Sequence, residues 1–142
     1  MPLALADIRS LVEIGEFQQL IGEFEGQYLD AKAQPYLFAS GYDAKREFAK
    51  DVAAFANASG GCIIVGAETV LSSLQAGEQI AALKPFPETL FNADQYGKII
   101  DEWLYPAPSG LIVKWYPDKD KPPNGMGVIF IRPKPPRPSH SF

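Results

Sequence analysis

The sequence predicts an α+β fold: a single domain with a mixed four-stranded sheet, flanked by helices and closed by a C-terminal β-hairpin. Three observations carry that expectation. The run 47–68 (EFAKDVAAFANASGGCIIVGAE) joins an amphipathic helix to a short apolar strand through a Gly pair. Residues 94–104 place Tyr96, Ile99, Ile100, Trp103 and Leu104 at helical spacing. Two β-rich runs, Leu111–Tyr116 and Gly127–Arg132, flank a turn-rich loop. Helices alternating with strands, then two strands in succession, are satisfied by one sheet with helices packed on it.

Taken along the chain, residues 7–24 read as a helix. Ile8, Leu11, Val12, Phe17, Leu20, Ile21 and Phe24 form an apolar stripe that Gly15 interrupts and Gly26 ends. Residues 27–33 read as a strand closed by Pro35. Its period of two puts Tyr28, Asp30 and Lys32 on one face, with Gln27, Leu29 and Ala31 on the other. Asp43 is a suitable N-cap for the next helix. In that helix Phe48, Val52, Phe55 and Ala56 face the core, while Lys45, Arg46, Lys50 and Asp51 face solvent. Gly60-Gly61 stops it, because glycine accepts the left-handed conformation of a C-cap. Cys62–Val65 is too short and too β-branched for a helix, and reads as a buried strand.

The stretch 69–91 is punctuated by Gly77, Pro85 and Pro87, with a short helix expected within Ser72–Leu83. Asp94 caps the 94–104 helix and Pro106 stops it. The loop Pro117–Met126 makes a long hairpin tip, and the Pro-rich tail from Pro133 reads as extended or disordered. The expected organisation is an N-terminal extension over 1–19, a domain over 20–135 and a tail over 136–142.

With 142 residues, 46% hydrophobic and 21% charged, the chain suits one globular domain with one core. Its one cysteine, Cys62, allows no internal disulfide and fits a reducing cytoplasm. The first residues carry no basic segment followed by a long apolar run, so neither a signal peptide nor a membrane partner is expected. A net charge of −4 argues against a dedicated duplex-DNA binder, whose affinity comes from phosphate neutralisation. The charge is uneven, however. Residues 1–30 hold Arg9 against Asp7, Glu13, Glu16, Glu23, Glu25 and Asp30, whereas 132–142 hold Arg132, Lys134, Arg137 and His140 with no acid. Any nucleic-acid surface must be local.

Two constellations can carry chemistry. Asp30 and Lys32 share a strand face, with Glu25 before that strand and Glu68 after the next. If the strands are neighbours, the three carboxylates converge beside Lys32, a set suited to Mg or Mn. The structural alternative is solvated strand-end acids paired with Lys32. The second constellation is cationic: Lys114, Lys119, Lys121 and Arg132 on the terminal hairpin, interleaved with Trp115 and Tyr116, with Arg46 more remote. Such groups can grip phosphates and stack on bases. Alternatively they protect an edge strand, and Asp118 and Asp120 dilute them. The Gly pair follows a helix rather than opening one, so it is no phosphate loop. Cys62 lacks a histidine partner, and His140 stands alone in the tail.

The segments EGQYLDAK (25–32), AFANASGG (54–61) and IVGAE (64–68) together resemble the Schlafen AlbA-like family, over roughly residues 20–135. The resemblance implies a mixed sheet flanked by helices and a DNA-binding role, as in many bacterial regulators. It also implies, from members that cleave RNA with a metal, a catalytic and metal-binding trio at Glu25, Asp30 and Glu68, with Lys32 assisting. Here Asp30 and Glu68 exchange the usual acid lengths, and Ala31 stands where an aromatic is usual.

The leading expectation is therefore a cytoplasmic module that binds DNA or RNA through Lys114, Lys119, Lys121, Arg132 and Arg46, works as a homodimer and needs no cofactor. The alternatives are a nuclease dependent on Mg or Mn, and a protein-interaction module that binds no nucleic acid.

Overall fold

A computed structural model describes residues 3–72 and 77–135. Three helices, α1 (Leu5–Glu13), α2 (Tyr42–Ala56) and α3 (Ala93–Trp103), surround two sheets. The main sheet has the order β1-β2-β6-β5, formed by β1 (Leu29–Lys32), β2 (Gly61–Val65), β5 (Ile112–Pro117) and β6 (Gly125–Ile131). β1 runs parallel to β2, with Leu29 opposite Cys62 and Lys32 opposite Val65. The β2–β6 and β6–β5 pairs are antiparallel. The fold is thus the expected mixed α+β domain.

The period of two divides the core between the two faces of this sheet. Ile63, Val65, Ile129 and Ile131 pack with Phe48, Val52, Ile99 and Ile100 of α2 and α3. Cys62, Ile64, Val128 and Phe130 pack with Ile8 and Val12 of α1. Leu29 and Ala31 belong to the α1 side, which sends Asp30 and Lys32 to the α2 side.

The Gly pair serves two separate needs. Gly60 has φ +81°, and a Cβ there would lie 2.7 Å from the Ile131 carbonyl oxygen. At Gly61 the constraint is space, since the Phe55 ring lies directly over its Cα.

Four expectations need correction. The helix over 7–24 is broken: α1 ends at Glu13, Gly15 turns the chain at φ +76°, and a 3-10 turn follows at Phe17–Leu20. Asp43 does not cap α2. Gly41 holds that position and Asp43 lies in the first turn, where a carboxylate still favours the helix dipole. Asn92, not Asp94, caps α3, its side chain accepting from the Gln95 N–H at 3.2 Å. No helix covers the described part of 72–83. β3 (Ala67–Leu71) and β4 (Glu78–Leu83) form a second, two-stranded sheet, with a bulge at Glu68/Thr69. Residues 73–76 and the tail 136–142 lie outside the described residues. Among the described residues, no helix is long and apolar enough to cross a membrane.

Candidate functional site

β1 is an edge strand, and its free side is covered by the returning chain. The Phe24–Gln79 bridge and the Glu25 N–H to Glu78 carbonyl bond (2.8 Å) hold residues 24–25 against β4. From there the Glu25 carboxylate accepts the Ala31 N–H at 2.8 Å, giving that edge amide the partner an open strand would lack. Glu25 also meets Asp30 and Glu78. Burial first, then hydrogen bonding to Asp30 and Glu78, pushes its pKa from the ordinary 4.5 up to about 8, against the Ala31 bond that lowers it.

A raised carboxyl pKa means that folding favours the neutral form. The stability this contributes is complete below pH 4.5 and is lost as pH rises through about 8. Solvent reaches the carboxyl, so screening leaves an effect of about 1 kcal/mol. Glu25→Gln should match the parent at pH 4 and exceed its stability by about 1 kcal/mol at pH 8.5, as read by urea unfolding. Parallel pH profiles for the two proteins would contradict this assignment.

Lys32 sits in a cage of acids. Its Nζ lies 3.0 Å from Glu47 Oε1, 3.3 Å from Asp51 Oδ2 and 3.4 Å from Asp30 Oδ2. It also lies 5.9 Å from the Tyr36 ring centroid. Tyr36 donates its hydroxyl to Asp51 Oδ2 at 3.2 Å. Burial alone would pull the Lys32 pKa down, but the Glu47 hydrogen bond and the charges of Asp30, Asp51 and Glu47 raise it instead. Burial holds Asp51 above its ordinary range, with Lys32 opposing. Lys32 is therefore a neutralising counter-ion with its donors engaged, a poor group to polarise a water molecule. Asp51, expected to be solvated, is half-buried in this cage.

Glu68 does not join Glu25 and Asp30. Gly66 (φ +109°) turns the chain out of the main sheet, its N–H donating to the Lys32 carbonyl and its carbonyl accepting from the Lys84 N–H. Glu68 is thereby placed on β3, 3.8 Å from Lys84 Nζ, lining a separate depression with Gln34, Pro35 and Phe86. Among the described residues, no group of three or more Asp, Glu, His or Cys side chains is arranged to hold a metal ion. Glu25 and Asp30 line a different depression from the one that Glu68 lines. Cys62 is buried and its thiol pKa is raised by burial, as an inert core thiol requires.

The cations divide differently. Ile112, Tyr116 and Phe130 pack on the α1 side, so Lys114 and Arg132, each two residues from one of them, face that side as well. Lys114 Nζ stands 5.0 Å from the Tyr116 ring centroid on β5, the outermost strand. The hairpin tip leans on the end of α1: the Lys119 N–H donates to the Gly15 carbonyl, and Lys119 Nζ pairs with Glu16 at 2.8 Å. Asp118 is 1% exposed and its Oδ1 accepts the Asp120 N–H. It holds the tip together from inside. Arg46 lies on α2, across the sheet from the others.

Arg9 was missed by the sequence reading. Its guanidinium lies 5.5 Å from the Phe130 ring centroid, on the same side as Lys114 and Arg132, while it pairs with Glu13 at 3.1 Å. Its helical spacing from Ile8 and Val12 was the available signal. Without the sheet order, however, nothing linked that helix edge to β6.

No family model and no curated protein matches the chain. Among solved structures, the N-terminal domain of a RecG-related protein from Nitrosomonas europaea is similar at 17% identity and a TM-score of 0.39, covering 83% of this chain and 69% of that one. A likeness of that size says nothing of what this chain binds.

Proposed function

We propose that this chain is a nucleic-acid-binding module without catalytic chemistry, contacting phosphates and bases from the α1 side of the β5–β6 hairpin. The observation that carries the reading is the Lys114–Tyr116 pair on an edge strand, a cation held 5.0 Å from the centre of an aromatic ring. A phosphate can meet such a cation while a base stacks on the ring beside it. Arg132 and the Lys121 backbone belong to the same hairpin, and among the described residues neither Lys114, Lys121 nor Arg132 forms an ion pair. Lys119, neutralised by Glu16, and Arg46, on the opposite side, contribute little to this grip. The resemblance of the 25–32, 54–61 and 64–68 segments to the Schlafen AlbA-like family agrees with it.

The test is anisotropy with a labelled single-stranded oligonucleotide. Changing Lys114, Lys121 and Arg132 together to Ala should weaken binding roughly a hundredfold at about 50 mM salt. Changing Lys119 and Arg46 to Ala should cost much less. Equal losses in the two variants would contradict the proposed surface. No observation favours the metal-dependent nuclease.

A further inference from the structure

A groove of about 590 Å³ lies on the side away from the hairpin cations, between the β1–α2 connection and the first turns of α2. Its walls combine two features. The first is apolar and aromatic. Tyr36 stacks on Phe38 at 5.5 Å and is anchored through its hydroxyl to Asp51, so it forms a fixed floor. Tyr42 is 65% exposed yet held edge-on to Trp103 at 4.8 Å, and Leu37, also 65% exposed, lines the same groove. Apolar side chains so exposed at the rim of a concavity mark a place where another surface can be buried.

The second feature is charge. Among the described residues Lys32 is the one cation lining the groove, and Asp30, Glu47 and Asp51 already surround it. Asp43 adds a further acid at the rim. Of the charged side chains lining the groove among the described residues, two are acids, Asp43 and Glu47, against Lys32, so the lining carries a small net negative charge. A phosphate backbone is repelled there and a guanidinium attracted, the reverse of the hairpin side.

We propose that this groove docks a basic, apolar peptide segment of a partner protein, with an arginine placed beside Asp43 and Glu47 and an apolar side chain against Leu37 and Tyr42. The arginine can lie over the Tyr42 face while it pairs with the acids. This site is independent of the hairpin surface, and both can be occupied together.

The probe is a fluorescein-labelled peptide of alternating arginine and leucine, compared with its glutamate-for-arginine counterpart by anisotropy on the full chain. The arginine peptide should bind and the glutamate peptide should not. Asp43→Lys and Tyr42→Ala should each weaken binding about tenfold. Asp120→Lys makes the same charge change at the hairpin tip and should weaken it by less than about twofold. Leu37→Ser serves as the apolar variant if loss of the Trp103 contact unfolds Tyr42→Ala. The proposal is overturned if the arginine peptide does not bind, if Asp120→Lys costs as much as Asp43→Lys, or if loss of the apolar wall leaves affinity unchanged. It is equally overturned if a labelled oligonucleotide binds the hairpin triple variant and that binding is lost on Tyr42→Ala, since the groove would then be a nucleic-acid surface.

Discussion

Lys32→Met is expected to lower folding stability by about 2 kcal/mol at pH 7, with or without any ligand. The side chain is only 24% exposed, and three carboxylates lie within 3.4 Å of its Nζ. Methionine fills most of the volume but leaves Asp30, Glu47 and Asp51 facing one another without a cation. Breaking a fully buried pair costs more, but Glu47 is partly open to water, which moderates the loss. The sign with pH follows from the same charges. Without Lys32 the three carboxylates repel one another in the folded state, and acid relieves that repulsion. The deficit should therefore be largest at pH 7 and shrink towards pH 4. Urea unfolding at the two pH values checks this. A variant as stable as the parent at pH 7 would show that Lys32 is not the counter-ion of the cage.

Gly125→Ala should cost about 3 kcal/mol. Gly125 exchanges two backbone hydrogen bonds with Phe86, at 2.8 and 2.9 Å, in a bridge that ties the segment after β4 to β6. A Cβ there would collide with the Tyr116 carbonyl oxygen and stand 2.8 Å from the Pro117 Cα, so relief requires backbone movement. The Trp115 indole, which donates to the Phe86 carbonyl at 3.1 Å, would shift with it. Gly97, in the middle of α3, is the contrast. Nothing lies within 4 Å of its added Cβ and its φ is not positive, so Gly97→Ala should gain about 0.5–1 kcal/mol. Thermal melting of both variants reads the opposite signs; a destabilised Gly97→Ala or a neutral Gly125→Ala would contradict the packing described.

What was legible in the sequence is what local periodicity encodes. The α2–Gly-Gly–β2 run, α3 and the terminal hairpin each satisfy their own pattern within a few residues, and the alternation along β1 correctly sends Asp30 and Lys32 to one face. What was not legible depends on single dihedrals or distant partners. Glu68 was expected beside Asp30 because β2 points that way, but the positive φ of Gly66 diverts the chain into β3 one residue past the strand. β3 and β4 escaped detection because both are largely exposed, so their apolar alternation is weak. The acids that hold Lys32 come from α2, and Glu47 and Asp51 acquire their meaning only when that helix packs over β1. Asp118 read as a surface charge because composition cannot show that its side chain turns inward.

The charge-segregated design, with acids around Lys32 and uncompensated cations on the hairpin, is tested most directly by the salt dependence of oligonucleotide binding. Three phosphate contacts from Lys114, Lys121 and Arg132 give a log–log slope of about −2, or roughly a twentyfold loss of affinity between about 50 and 200 mM salt. The variant with all three changed to Ala should show a slope near zero. A parent protein whose binding stays flat over that range, or a triple variant that keeps the parent's slope, would contradict the proposed nucleic-acid surface.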